Sequence, residues 1–326
     1  MTKSVHFYPI SFEKKLVPKI WGGKTLQDFF SNKSLQKNYG ESWEISVIKD
    51  FESIVNSGYF KNYKLDELIE KYPIEILGKK VYDKYGLNFP LLIKFIDVNK
   101  PLSIQVHPDD ETARVRHDSF GKNEMWFIIE TEKNANISLG FNKQMDKKKF
   151  NKYLKNKTVN RVLNSFIVQP KDAFFVPAGT VHALNGKMLL LEVQQSSDIT
   201  YRIYDYERLN PKTGKKRELH QKSAISSINF SENKYEKIKY DFNENKLNPI
   251  IENNFFKIYF LRINGSETQK IFMKSSFWIL VCLEGSLSVN YKNEKYSLQK
   301  GKTFLIPAVV NVINIEGSGE MIGITA

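Results

Sequence analysis

Two histidines and a glutamate lie in three separate segments that each pattern as β-strand, and they constrain the fold more than any other feature of the chain. The segments run over 101–110 with His107, 121–127 with Glu124, and 176–184 with His182. Side chains alternate between the two faces of a strand. Ser103, Gln105 and His107 therefore share one face, and Ile104 and Val106 the other. The second segment reads as a strand from Glu124 to Ile129 after a turn at Gly121 and Lys122, and its apolar run Met125 to Ile129 marks it as buried. A carboxylate at the mouth of a buried strand needs a partner, because an unpaired buried charge is expensive. The third segment is an apolar strand from Ala173 to Val176, a Pro-Ala-Gly turn, and then His182. Two histidines and a carboxylate on different strands, leaving open positions, form the ligand set of catalytic zinc and of non-haem iron.

Taken singly, each of the five histidines (His6, His107, His117, His182 and His220) reads as an ordinary core or surface residue. The residues around them carry more. Gln105-Val-His107-Pro-Asp, Gly121-Lys122-x-Glu124, Pro177-x-Gly-x-x-His182-Ala, and Glu192 followed by Ser197, Asp198 and Arg202 together resemble the type I mannose-6-phosphate isomerases in their short bacterial form. Ile20-Trp21-Gly22-Gly23, the stretch from Gly40 to Ser46, and Arg217-Glu218-Leu219-His220 fit the same pattern, so the resemblance runs from about residue 8 to the end.

That resemblance implies a mainly β fold with added helices: two cupin-type, jelly-roll β-barrels, with the helical additions on the first. It implies one Zn2+ per chain, and mannose 6-phosphate and fructose 6-phosphate as substrates, interconverted through an enediol. The metal ligands would be His107, Glu124 and His182, with Gln105 as candidate fourth ligand. Lys122, Glu192, Asp198 and Arg202 would be the catalytic or pocket residues. Moving a proton between C1 and C2 requires a base over the carbon and an electrophile on the oxygens. Arg202, permanently charged, suits either the enediolate or the phosphate. Which residue takes the proton is left open. The plainer role for Glu192 and Asp198 is a salt bridge to Arg202. Three other readings stand beside this one: a cupin oxygenase using the same ligands with iron, which has no need of Arg202 and Lys122; a sugar-binding cupin without turnover; and an isomerase of another sugar phosphate.

At 326 residues the chain is long enough to hold two domains, each with its own core. The expected division is a catalytic barrel with helices over 1–230, a Lys-, Asn- and Glu-rich linker over 231–248, and a second barrel over 249–326. An internal echo supports the pairing. The run from Asp172 to Pro177 and Ala178 parallels that from Lys302 to Pro307 and Ala308. Five residues beyond the first proline stands His182, and five beyond the second stands Val312, so the second barrel is expected to have lost its metal site. The net charge of +13 comes from scattered lysines such as Lys147 to Lys149, Lys212 and Lys215, and no aromatic-interleaved basic groove or nucleic-acid motif accompanies them. Gly23-Lys24-Thr25 and Gly301-Lys302-Thr303 each lack the first glycine of a P-loop. The N-terminus has no apolar leader, the longest apolar run (277–283) is far too short to span a bilayer, and the single Cys282 can form no intrachain disulfide. These features set the expectation of a cytoplasmic enzyme, a monomer or weak homodimer, with a small sugar phosphate as partner and neither nucleic acid nor membrane.

Along the chain, short apolar runs between Gly and Asn turns predict strands over 7–60. Residues 62–85 hold helical patterns, with Leu65, Leu68 and Ile69 spaced for one face. Short helices are expected at 109–116, 146–156 (exposed) and 220–228, strands over 158–204 and from 250 to the end, and a turn at 210–214.

Overall fold

The computed structural model describes residues 5–326 except 33, 35, 36, 212, 232, 233, 266, 273 and 274. Its strands form three antiparallel sheets. The first has the order Lys15–Val17, Glu41–Ile45, Leu91–Val98, Met188–Gln195, Glu124–Thr131, Ala173–Val176. The second has the order Tyr201–Tyr204, Ile104–Val106, His182–Asn185, Asn136–Phe141, Leu163–Ile167. The third is built from the C-terminal strands around the long Trp278–Tyr291 and Val312–Thr325 pair. The mainly β architecture with added helices is therefore present, and no helix among the described residues is long and apolar enough to cross a membrane.

Strand alternation explains how the first sheet serves two cores. Leu91, Ile93 and Phe95, Met125 and Phe127, and Leu189, Leu191 and Val193 point one way, into a core shared with the C-terminal sheet. Ile96 and Val98, Trp126 and Ile128, and Met188 and Leu190 point the other way, into a core closed by Ile137, Leu139 and Leu184 of the second sheet. Both faces are covered, so these strands are apolar almost throughout. On the inward face, however, each turns polar at one end: Lys94, Glu124, and Glu192 with Gln194. Register sets these ends side by side, with Glu192 opposite Lys94 and Trp126 and Gln194 opposite Glu124. A charged floor thus forms at one end of an apolar interior.

The internal echo is structural. Ala173–Val176 and Thr303–Ile306 are each followed by a turn in which the proline carbonyl accepts a backbone N–H three residues on, from Thr180 at 3.2 Å and from Val310 at 2.9 Å. His182 and Val312 are the first residues of the strands that follow. Gly179, at φ +82°, makes the first of these turns possible.

Two expectations change in detail. Among its described residues, the 7–60 region contains only the short strands Lys15–Val17 and Glu41–Ile45 and a helix, Thr25–Phe29. Much of the rest, including Phe7, Tyr8, Phe12 and Val55, packs as irregular chain against the shared core. The helical patterns expected over 62–85 are present as three short helices, Leu65–Lys71, Pro73–Leu77 and Lys79–Tyr85, separated where Pro73 lacks a donor and Gly78 adopts φ +81°. The expected helices near 109, 146 and 220 are present as Asp110–His117, Lys147–Lys155 and Gln221–Ser227. The Thr112 and Lys149 amides donate to the capping side chains of Asp109 and Asp146 at 2.8 and 2.7 Å. The Lys147–Lys155 helix is amphipathic and not wholly exposed, because Phe150 and Leu154 are buried. In the 210–214 turn, Gly214 N–H donates to the Asn210 carbonyl at 2.8 Å, and Lys212 lies outside the described residues.

The two ends of the chain are tied together. Ile10 and Leu305 exchange backbone hydrogen bonds of 2.8 Å each, and Ala308 N–H donates to Ile76 carbonyl at 3.1 Å. Within 231–248, Ile238 N–H donates to the Ala173 carbonyl at 2.8 Å and Tyr240 hydroxyl to the Lys171 carbonyl at 2.7 Å, so this segment lies along the first sheet; 232 and 233 lie outside the description.

Candidate metal centre and pocket

His107, Glu124 and His182 converge, all fully buried, with their ligand atoms within 4.8 Å of one another. Each arrives by a separate local device. His107 follows the short strand Ile104–Val106, and its Nδ1 donates to Ile199 carbonyl at 2.9 Å. His182 opens its strand, and its Nδ1 donates to the Thr180 carbonyl at 2.9 Å. Both rings are thereby held in the tautomer that turns a lone pair on Nε2 towards the shared centre. Glu124 opens its own strand, just after Gly121. A Cβ on Gly121 would lie 2.5 Å from the Asp110 nitrogen, so only glycine lets the chain pass beneath the Asp110–His117 helix there.

The donor atoms fit a divalent cation. Glu124 lies 3.6 Å from His107 Nε2 through Oε2 and 3.5 Å from His182 Nε2 through Oε1. A tetrahedral ion with bonds of roughly 2.0–2.2 Å needs donors about 3.3–3.6 Å apart. Glu124 Oε1 is buried without a hydrogen-bond partner, a cost that a cation would relieve. Burial pushes the Glu124 carboxyl up to about 7, against the pull of the neighbouring Lys122 charge. Burial likewise holds His182 down to about 4 and His107 well below its usual range, so both stay neutral, as ligands must.

Lys122 and Gln105 border this centre. The Lys122 ammonium donates to Glu124 Oε2 and lies 3.2 Å from His107 Nε2. Gln105 stands directly opposite His182 in the sheet and presents its amide nitrogen to His182 Nε2 at 3.1 Å. As oriented here its N–H uses the lone pair that a metal would take; half a turn of the amide would offer oxygen instead.

Arg202 pairs with Gln105 on the other side, so Arg202, Gln105 and His182 form one row across three strands and project from the same face. Its Nη1 donates to Glu218 carbonyl at 2.8 Å, and its Nε is buried without a partner. No salt bridge joins it to Glu192 or Asp198. Glu192 pairs with Lys94 at 3.3 Å, approaches Lys122 at 4.0 Å and accepts from Trp126 Nε1 at 3.3 Å. Burial alone would raise the Glu192 carboxyl, but Lys122 and Lys94 outweigh it and hold it down to about 2. Asp198 is exposed, on the turn between Met188–Gln195 and Tyr201–Tyr204, and is not drawn into this charge network.

Lys94 and Trp43 escaped sequence reasoning. Lys94 Nζ lies 4.6 Å above the Trp43 ring and donates to Gln194 Oε1 at 3.0 Å. The signal was present as a lone lysine inside the apolar strand Leu91–Val98, a position that only a buried counter-charge tolerates.

Comparison with known proteins adds a family. Residues 11–126 match the catalytic domain of phosphomannose isomerase type I, and residues 246–326 match the mannose-6-phosphate isomerase cupin domain. Mannose-6-phosphate isomerase ManA of Bacillus subtilis is 33% identical over 96% of this chain and 98% of its own length. A mannose-6-phosphate isomerase from Streptococcus mutans is 30% identical over 96% of this chain and 97% of its own. The crystal structure of the mannose 6-phosphate isomerase from Bacillus subtilis superposes with a TM-score of 0.88 at 33% identity, covering 97% of this chain and 99% of that one. An Archaeoglobus fulgidus structure, at 22% identity, shares the fold with a TM-score of 0.79 over 99% of this chain and 98% of its own.

Proposed function

This chain belongs to the type I mannose-6-phosphate isomerase family and is an isomerase of that kind; on that premise we propose that it interconverts mannose 6-phosphate and fructose 6-phosphate through an enediol, with one Zn2+ held by His107, Glu124 and His182. The observation that carries the reading is the buried cluster of two neutral histidines and a carboxylate with an unpaired oxygen, beside an arginine whose Nε has no partner. A divalent cation there would supply Lewis-acid polarisation of the sugar oxygens. The other roles fall to side chains. Arg202 brings a permanent charge to the row that contains His182, and its unpaired N–H suits an oxygen that gains negative charge. The Lys122 ammonium, beside Glu124 and His107, serves the same end. Glu192, held down to about 2, is better suited to balancing Lys94 and Lys122 than to taking a proton near neutral pH. Trp126, edge-on to the His182 ring at 5.4 Å, gives the centre an apolar wall. The same reading carries a cytoplasmic location, a monomer or weak homodimer, and a catalytic unit over 1–230 with 249–326 as a second, metal-free barrel.

The oxygenase alternative finds less support, since it leaves Arg202, Lys94 and Lys122 without work. The test is metal analysis of the purified protein with a coupled assay on mannose 6-phosphate, repeated on His182→Ala. We expect one zinc per chain in the parent, and a folded variant with neither zinc nor turnover. Full zinc content in His182→Ala would overturn the ligand assignment.

A further inference from the structure

Arg202 is held at a junction built around a second charged residue, Asp205. The strand Tyr201–Tyr204 ends and the chain makes an excursion, closed by a bridge between Leu209 and Lys216, before returning along the strand. The returning arm is what grips Arg202. Glu218 carbonyl accepts from Arg202 Nη1 at 2.8 Å, His220 Nδ1 accepts from Arg202 N–H at 3.1 Å, and His220 N–H donates to the Arg202 carbonyl at 2.7 Å. Asp205, 3% exposed, fastens the base of this excursion. Its carboxylate takes Arg217 at both oxygens, from Nε at 2.8 Å and from Nη2, and also takes Arg208 Nη2. Arg208 in turn donates to the Pro101 carbonyl, at the start of the segment that carries Ser103, Gln105 and His107. One buried carboxylate therefore ties together the strand of Arg202, the arm that anchors it and the approach to the ligand strand.

The charges point the same way. Three guanidinium groups, Arg202, Arg208 and Arg217, gather in one region. Asp205 engages two of them, and Arg202 is the one that keeps a buried N–H without an acceptor. An unpaired carboxylate-free cation at this place would meet an anionic oxygen of the substrate; three competing ones would not hold a single geometry. We propose that Asp205 is a positioning residue for Arg202: by occupying Arg208 and Arg217 it fixes the arm that orients Arg202 and leaves Arg202 as the guanidinium that meets the substrate. This rests on the isomerase reading above, and the unsubstituted protein in the same assay separates the two. If the parent does not turn over mannose 6-phosphate, that reading fails; if only the comparison below fails, the role of Asp205 does.

The experiment is a double-mutant cycle on the full chain, with zinc content, melting temperature, turnover number and Michaelis constant measured for each protein. Asp205→Asn keeps the shape and removes the charge. It is expected to keep its zinc and to lose tenfold or more in kcat/KM. Asp205→Glu, which keeps the charge, is expected to recover part of that loss. In an Arg202→Ala background, assayed at raised enzyme concentration, Asp205→Asn should cost less than twofold, because the group it acts through is already gone. An equal loss in both backgrounds would make Asp205 merely structural and overturn the proposal, as would a kcat/KM within twofold of the parent. If Asp205→Asn does not fold, Arg217→Gln, which frees the arm and leaves the Asp205–Arg208 pair, is read in the same two backgrounds with the same two outcomes.

Discussion

Replacing Lys94 by methionine removes a buried cation and keeps most of the side-chain volume. Lys94 lies 3.3 Å from Glu192. At an effective dielectric constant of about 20, that separation corresponds to roughly 5 kcal/mol of attraction. Lys122, at 4.0 Å, remains and supplies roughly 4 kcal/mol on the same scale. Glu192 thus keeps nearly half of its stabilising field, and methionine escapes the desolvation cost that the ammonium bears. Breaking a buried pair outright costs about 3–5 kcal/mol. With a second cation in place, the lower end of that range, about 3 kcal/mol, is expected. For a chain of this size each kcal/mol moves the melting temperature by about 2 °C, so Lys94→Met should melt roughly 6 °C below the parent. Lys94 acts on Glu124 and His107 only through its charge, which opposes a cation there, so its loss should leave zinc content unchanged. The double variant Lys94→Met with Glu192→Gln, in which neither charge is left, should melt above Lys94→Met. The assay is differential scanning calorimetry with metal analysis on all three proteins. If Lys94→Met melted within 1 °C of the parent, or the double variant melted below it, the ion pair would not be what holds this floor together.

Three further outcomes are expected. Arg202→Ala should fold, keep its zinc and lose about a hundredfold or more in turnover, with lysine rescuing little because it lacks the planar fork; a near-normal turnover number would remove Arg202 from the catalytic set. In metal-free protein, His182 is held down to about 4, whereas an unfolded histidine titrates near 6.5. As pH falls from about 6.5 to about 4 the unfolded chain binds a proton that the native site refuses, so His182 lowers stability by roughly 3 kcal/mol, fully lost below pH 4. Glu124, pushed up to about 7, acts in the opposite direction, so the contribution is read as the difference between the parent and His182→Gln in urea melts across that window; equal slopes would refute it. Because Val312 stands where His182 stands, zinc soaked into crystals should leave residues 250–326 without an inner-sheet ion, and an ordered zinc there would contradict the assignment.

The sequence was most legible where local chemistry and periodicity coincide. His107, Glu124 and His182 each sit in a strand-like run with its own turn, so their convergence could be expected before the register was known. The Asp109 and Asp146 caps belong to the same class, because a cap acts within one turn of helix. The paired strand–proline turns were visible for a similar reason, since each turn closes on its own proline carbonyl. The 7–60 region misled because its apolar runs serve tertiary packing against the shared core, and only a little of it pairs as strand. The helical patterns of 62–85 were legible in the spacing of Leu65, Leu68 and Ile69, and the breaks between the three helices fall at Pro73 and Gly78.

By itself, then, the sequence determined which residues had ligand chemistry and that the stretches carrying them were strand-like, because both depend on side-chain type and on spacing of a few residues. Only the tertiary structure decided what each charge would meet. Glu192 met Lys94 and Lys122 and not Arg202, Asp198 stayed in solvent, and Asp205 gathered Arg208 and Arg217. The Glu192–Lys94 pairing depends on strand register between segments far apart in the chain, where a one-residue slip would send the side chain to the opposite face, and the Asp205 pairings depend on how the chain beyond Tyr204 folds back on itself.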